Sequence, residues 1–514
     1  MKSALAIPAP RLPIATGWET IPDDLRRPIL TGMRWTLWLA IAGVPFSYAT
    51  RVLLARLGPA CLAWYGLLLV YIAFVAGFLF LGGNAVAIRY LPLVAAGRRG
   101  AFLRSYGAIV VAAWLPWLLL ALAYPEALHW LLGADAGSGF IICIMALAPV
   151  PILFSLLLAA LKGSLDLAWA QGLYRGVTVG TFAGVLVLFL TARSWFAFHA
   201  AALIWGIYFA LMAAGCALAW VRWRGVAAPR PQTRTRYFLP RGFWNYTLGL
   251  QGSSMLGFFA TQLDMLFVLH AGGLRRLGAY VAVMGLATLA AAALKLLLDA
   301  FMAALSHGVA RGDAALTGDL FVHSSRLLLL LILALNAALT CWAVPLLAVY
   351  GPAYAGLQSA LRWLGPCAAI AGLNYLLGSA LSALGHPRAE VVAKVVRIAA
   401  FVALFWPLWQ AWGLTGAVLA WGGAELPYQA LNLFYLRRLA PFPLRWRRLY
   451  PAFLAALALL VVVASWGQPQ SFAAGLGAWT LVMAVFLMAA GYSRSELGSH
   501  LRIFLPGMAA AGGL

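Results

Sequence analysis

Charge is what this chain has least of. Only 10% of its 514 residues are Asp, Glu, Lys or Arg, and the acids number 13. Soluble chains carry roughly 25% charged residues, so a water-soluble globular protein is excluded. Cysteine is sparse as well. Cys61, Cys143, Cys216, Cys341 and Cys367 stand singly in or beside apolar stretches, and no CxxC pair occurs. That spacing supplies neither a disulfide framework nor a thiolate metal site, and each Cys reads as a small hydrophobe. The chain has no HExxH, P-loop or GxSxG, the arrangements that would announce common metalloprotease, nucleotide or hydrolase chemistry. Its histidines are scattered, with none paired at ligand spacing. An enzyme, a metal or an organic cofactor is therefore not expected.

What is present is apolar sequence, at 64% of residues. It is divided into fourteen stretches near 33–57, 61–88, 104–124, 137–161, 168–192, 197–221, 243–270, 277–305, 321–347, 358–384, 389–411, 413–436, 449–466 and 473–492. About 20 apolar residues let an α-helix cross a bilayer. The expected fold class is thus an all-α polytopic membrane protein with about fourteen transmembrane helices. The net charge of +23 does not indicate nucleic-acid binding. Roughly 27 of the 36 Lys and Arg fall in alternate connections, the pattern of the positive-inside rule. Arg98, Arg99 and Arg104 form one basic cluster, and Arg222, Arg224, Arg230, Arg234, Arg236 and Arg241 another. The third is Arg437, Arg438, Arg445, Arg447 and Arg448, whereas Leu347–Gln358 and Gly467–Phe472 carry no charge. Arg275 and Arg276 break the pattern on the outer side. The rule puts both termini in the cytoplasm of a bacterial cell with the chain in the inner membrane. Residues 1–30, with Pro8, Pro10, Pro13, Pro22 and Pro28, lack an apolar core and read as a cytoplasmic tail rather than a signal peptide.

The longest polar connection separates two sets of six spans. The expected organisation is a tail at 1–30, a first lobe at 31–221, a basic cytoplasmic linker at 222–243 and a second lobe at 244–438. Two further spans at 439–492 and a cytoplasmic tail at 493–514 follow. Gly58, Leu62 and Tyr65 match Gly273, Leu277 and Tyr280 at one constant offset, and Gly163 and Arg175 match Gly385 and Arg397 at a similar one. The lobes read as repeats, and transporters commonly place the substrate path between repeats.

Ionisable groups within the spans are the sharpest functional signal, because each costs roughly 2.5–3.5 kcal/mol to insert. Arg51, Arg362 and Asp264 fall toward the outer side, Glu425 near the middle, and Arg175, Lys295, Asp299 and Arg397 toward the inner side. A polar cavity between the lobes would accommodate them, with a slight cationic excess that favours an anionic ligand. Other roles stay open at this stage. Lys295 and Asp299, four apart, either neutralise each other or meet a ligand. The arginines either line the cavity or snorkel to headgroups. Asp264, Asp299 and Glu425 either bind H⁺ or Na⁺ or pair with those cations. Glu425, beside Pro427, is also a candidate for a protonated structural carboxyl.

Short motifs add a family resemblance. Arg56-Leu57-Gly58-Pro59 is followed by Trp64-Tyr65-Gly66, Gln262-Leu263-Asp264 and Leu277-Gly278-Ala279-Tyr280. Tyr350-Gly351-Pro352-Ala353-Tyr354, Ala383-Leu384-Gly385-His386 and Trp412-Gly413-Leu414-Thr415-Gly416-Ala417 complete the series. In this order they resemble the polysaccharide-transport branch of the multidrug/oligosaccharidyl-lipid/polysaccharide (MOP) exporter superfamily. The resemblance implies two pseudo-symmetric six-helix lobes in a V around a central cavity. It implies a flippase that moves undecaprenyl diphosphate-linked oligosaccharide for lipopolysaccharide or exopolysaccharide synthesis. Arg51, Arg175, Lys295, Arg362 and Arg397 would then line the substrate path. The two additional helices would border a groove for the lipid tail, as in lipid II flippases of the superfamily. The expected partners are membrane lipid, the lipid-linked oligosaccharide, and a polysaccharide polymerase or synthase. A multidrug antiporter of the same superfamily, expected to have an acidic cavity, and a non-transporting synthase subunit are the rival readings.

Overall fold

The computed structural model describes residues 23–94, 98–164, 166–227, 238–240, 242–310, 314–384, 386–440, 449–466 and 472–492. Both tails and most of the basic linker lie outside these residues. Among the described residues the protein is all-helical. The first set comprises α1 (Asp23–Leu57), α2 (Pro59–Phe74), α3 (Gly83–Leu93), α4 (Arg99–Ala123), α5 (His129–Leu132), α6 (Ser138–Ala146), α7 (Pro149–Gly163), α8 (Leu167–Thr191), α9 (Arg193–Phe198) and α10 (Ala200–Ala227). The second comprises α11 (Phe243–Ala310), α12 (Ala314–Cys341), α13 (Ala343–Tyr350), α14 (Gln358–Ala383) and α15 (Pro387–Leu439), followed by α16 (Leu449–Ser465) and α17 (Phe472–Ala490). Ten stretches among the described residues are long and apolar enough to cross a membrane. Two of these, in α11 and α15, each hold two helices joined at a kink, at Gly273 and Gly413. α1 and α16 occupy the two remaining expected spans.

Turn chemistry sets these boundaries. Gly58 precedes α2 at φ 143°, and its sequence counterpart Gly273 breaks α11 at φ 70°. Both values lie where a Cβ is strained, so glycine reverses the chain at equivalent places in the two halves. Four residues past each turn, Leu62 and Leu277 are fully buried. At Gly278 an added Cβ would fall 1.8 Å from the Pro59 carbonyl oxygen. Close backbone approach at small residues is how membrane helices gain packing contact.

The outer faces are apolar. Leu119, Val187 and Leu190 are each more than half exposed. In water such surface would be an aggregation liability; against acyl chains it is the matching solvent. One core runs through α1, α2, α7, α10 and the first part of α11. A second, including Leu329, Leu373, Phe453, Leu460 and Phe486, ties α16 and α17 to α12 and α14.

The second expected span, 61–88, is not one helix. α2 widens into a π-helical turn at Val75–Leu79, and the chain then turns through Gly82 (φ 70°) before α3 begins. Open backbone at this depth needs partners from the protein. Gln251 of α11 supplies them, accepting from the Gly82 amide at 2.9 Å and donating through Nε2 to the Gly77 carbonyl at 2.7 Å. The Tyr106 hydroxyl donates to the carbonyls of Leu81 (2.6 Å) and Gly83 (3.0 Å). The spans at 137–161 and 321–347 are likewise divided, before Pro149 and at Trp342. α10 continues past the expected linker start to Ala227.

Candidate functional site

Among the described residues, the ionisable groups gather where α11, α14 and α15 meet. Arg397 of α15 forms an ion pair through Nε with Glu425 Oε1 at 2.6 Å. Its Nη1 donates to the Ala260 carbonyl of α11. Glu425 is 3% exposed, and it is held again by Asn374 of α14. The Asn374 Nδ2 donates to Glu425 Oε2 at 2.7 Å and to the Glu425 backbone oxygen at 2.9 Å. Asp264, 6% exposed, shares a small recess with Arg397 and Trp421, and its Oδ2 accepts from the Tyr280 hydroxyl at 2.8 Å.

Arg397 and Glu425 open onto a cavity of about 260 Å³. Its walls carry Thr261, Tyr375, Ser379, Ser382 and Tyr428, together with Glu390 and Lys394. Lys394 pairs with Glu390 at 2.8 Å, and the Ser382 hydroxyl donates to Glu390 Oε2 at 2.8 Å. The ion pair is energetically consequential. Two charges removed from water lose several kcal/mol of hydration each, and removing one partner of a buried pair costs about 3–5 kcal/mol.

The helical period explains the assembly. Glu390, Lys394 and Arg397 lie at i, i+4 and i+7 on the first half of α15. Glu425, Tyr428 and Asn432 lie at i, i+3 and i+7 on the second half. The Gly413 turn folds the two halves together and faces one polar stripe with the other. Charge deep within an apolar run marks Arg397, Asp264 and Glu425 in the sequence, whereas no such signal marks Glu390, Lys394, Asn374, Tyr375 or Tyr428. The stripe around Glu390 was legible as a period, but it begins at the edge of the expected span, where charge is unremarkable.

The other selected residues lie elsewhere. Arg51 is 9% exposed and bridges the two helix sets: its Nη1 donates to the Gly285 carbonyl at 2.9 Å and to Thr288 Oγ1 at 2.7 Å. Nearby, Tyr48 and Tyr350 meet edge to face at 5.8 Å, and Arg56 Nε donates to the Val349 carbonyl at 3.2 Å. Arg175 of α8 is half-buried against Gly43 of α1, where an added Cβ would lie 2.7 Å from Arg175 Cδ. Arg362 sits on α14, where its carbonyl accepts from Thr340 Oγ1 at 3.0 Å. Lys295 and Asp299 belong to α11, but their side chains lie outside the described residues. The expected cationic excess is reversed at the α11–α14–α15 site. Asp264, Glu390 and Glu425 there face Lys394 and Arg397. The scarce acids are concentrated in one place, whereas three of the arginines are dispersed along other helix contacts. Among the described residues no three His, Cys, Asp or Glu come together as a metal site.

No family model matches the chain, and no curated protein does. Solved structures do. An inward-facing multidrug resistance MATE family transporter of the MOP superfamily aligns at TM-score 0.65 and 13% identity, over 79% of this chain and 97% of that one. An outward-facing MATE family transporter aligns at 0.57 and 15%, over 80% and 94%. The lipid II flippase MurJ in an inward closed conformation aligns at 0.59 and 14%, over 93% and 100%. The chain therefore has the polytopic all-α fold of these MOP-superfamily transporters.

Proposed function

We propose that this protein is an alternating-access flippase that moves an anionic lipid-linked oligosaccharide, carried on undecaprenyl diphosphate, across a bacterial inner membrane. The product would serve lipopolysaccharide or exopolysaccharide synthesis. The observation that carries this reading is the extent of the flippase alignment. It takes in 93% of the chain, against 79% for the MATE transporter with the higher TM-score. The higher score reflects a tighter match over a shorter length. The wider coverage bears on the additional helices, and α16 and α17 are packed into a core with α12 and α14. On this reading Arg397 and Lys394 receive the diphosphate, the geometry at which guanidinium groups excel. Asp264 and Glu425 pair with the cation or couple transport to H⁺ or Na⁺. A polysaccharide polymerase or synthase would take the product.

The acid-rich balance at Asp264, Glu390 and Glu425 favours a second reading, a cation-coupled multidrug antiporter. The two separate in one strain set. Expression in cells lacking a repeat-unit flippase restores surface polysaccharide on the first reading and leaves resistance to organic cations unchanged. The second reverses both outcomes. The proposed orientation, with both termini cytoplasmic, is checked by a cysteine at the exposed Gly137 in a Cys-free background. It should react with an impermeant thiol reagent added from outside, and protection there would invert the orientation.

A further inference from the structure

Arg397 occupies an unusual position for a substrate-binding cation, because its guanidinium is already engaged. Its Nε is paired with Glu425 and its Nη1 is committed to the Ala260 carbonyl. An anion entering the adjoining cavity cannot gain the full guanidinium without weakening the contact with Glu425. Glu425 cannot follow, because Asn374 holds both its Oε2 and its main-chain oxygen. Loss of Arg397 would leave a carboxylate 3% exposed with only the Asn374 amide as donor. A buried carboxylate without a counter-ion is costly and is neutralised by protonation.

We infer that Arg397 is an exchangeable internal cation, which an entering anion draws away from Glu425 while Glu425 takes up a proton in its place. The ion pair dissociates, the guanidinium transfers to the anion, and a proton from bulk solution reaches the vacated Oε1 through the cavity. No covalent bond other than the new O–H forms. The guanidinium leaves the carboxylate and a proton replaces it, so Glu425 stays compensated while the retained guanidinium offsets one negative charge of the anion. Release of the anion reverses both movements. Transport and proton movement are thereby coupled at a single residue pair.

The surroundings single out Glu425 for this exchange. From α11, Asp264 shares a recess with Arg397 and is bonded to Tyr280. From α14 come Cys367, Asn374 and Tyr375, and from α15 Glu390, Lys394, Arg397 and Tyr428. Glu390 has its own cation in Lys394 and a hydroxyl donor in Ser382, so removal of Arg397 does not orphan it. Asp264 retains Tyr280. Among the described residues, Glu425 is the carboxylate ion-paired with Arg397.

The inference rests on the anionic-substrate reading, and the test separates the two. Purified full-length protein is titrated with inorganic pyrophosphate by calorimetry at mildly acidic and neutral pH. Two buffers of different ionisation enthalpy count the protons taken up. The wild type should bind with net uptake. Glu425→Gln should still bind, with uptake reduced by approximately a single proton per anion. Arg397→Gln should bind at least about tenfold more weakly, a change of about 1.4 kcal/mol. If Glu425→Gln unfolds through the unpaired Arg397, the double variant Arg397→Gln/Glu425→Gln removes both buried charges and should show neither binding nor uptake. Binding with the same uptake in Glu425→Gln as in wild type overturns the exchange and spares the anionic reading. Failure of the wild type to bind pyrophosphate, with binding of an organic cation instead, overturns the anionic reading and the exchange with it.

Discussion

Arg175 and Arg397 occupy matching places in the two halves and have opposite fates. Each projects from the fifth span of its set toward the first helix of that set. Arg175 reaches Gly43 on α1, and Arg397 reaches the Ala260 carbonyl on α11. Beyond that point the halves part. Arg397 meets Glu425 within a wall of polar groups. Arg175 lies near the ring of Tyr174, at 5.4 Å from its centroid, and among the described residues no carboxylate pairs with it. The second spans differ as well. α2 and α3 are broken at Gly82, whereas the corresponding stretch of α11 beyond Gly273 is continuous helix. One helix set thus carries the charge and the other the broken helix. Shared packing does not dictate shared chemistry; the identity of a few facing residues does.

The largest effect expected from breaking this asymmetry is at Glu425. Glu425→Ala strands Arg397 and should destabilise the folded protein by about 3–5 kcal/mol, read as a lower unfolding temperature in detergent. Arg397→Met combined with Glu425→Leu should recover most of that stability without recovering transport. Failure of the double variant to recover would mean that the pair's hydrogen bonds to Asn374 and Ala260 outweigh its charge.

Next in size is the broken helix. Gln251→Leu leaves the Gly82 amide and the Gly77 carbonyl without their partner, at a cost of about 1–3 kcal/mol per stranded group. Amide exchange at Gly82 should quicken and transport should fall. Unchanged exchange would show that water already reaches the break.

Smaller again is Gly273→Ala, where the positive φ costs about 1–2 kcal/mol. The same change at Gly285 instead drives a Cβ to 2.8 Å from Arg51 Nη1, so it should loosen the contact between helix sets more than it lowers overall stability. Distance measurements between spin labels on α1 and on α11 beyond Gly273 would register this as a broadened distribution. The smallest effect is at Arg175. Its replacement by Met keeps the apolar stem and should change stability by less than about 1 kcal/mol. A loss comparable to that of Glu425→Ala would make the two arginines equivalent after all.

The sequence reads clearly wherever one helix decides the matter. Span count follows from runs of apolar residues, and the turns at Gly58 and Gly273 follow from glycine between them. Arg397, Asp264 and Glu425 stood out because charge within an apolar run is conspicuous in isolation. The break in the second span was not legible in the same way. Gly82 and Gly83 interrupt a helix where Gln251, 169 positions from Gly82, and Tyr106 supply the hydrogen bonds that hold the break open. Which charges share one cavity was illegible for a related reason. Depth along a helix can be read from sequence, but the direction a residue faces relative to other helices depends on how those helices pack.

The sequence by itself determined a polytopic all-α chain and a small set of costly intramembrane charges, because hydrophobic length and periodicity are local properties. Tertiary structure decided which charges meet. It folded α15 back at Gly413, set Glu425 against Arg397 and Asn374, and left Arg51 to tie α1 to α11. These are pairings between residues far apart in the chain, and the energy of a buried charge depends on the partner a few ångströms away rather than on its neighbours in sequence.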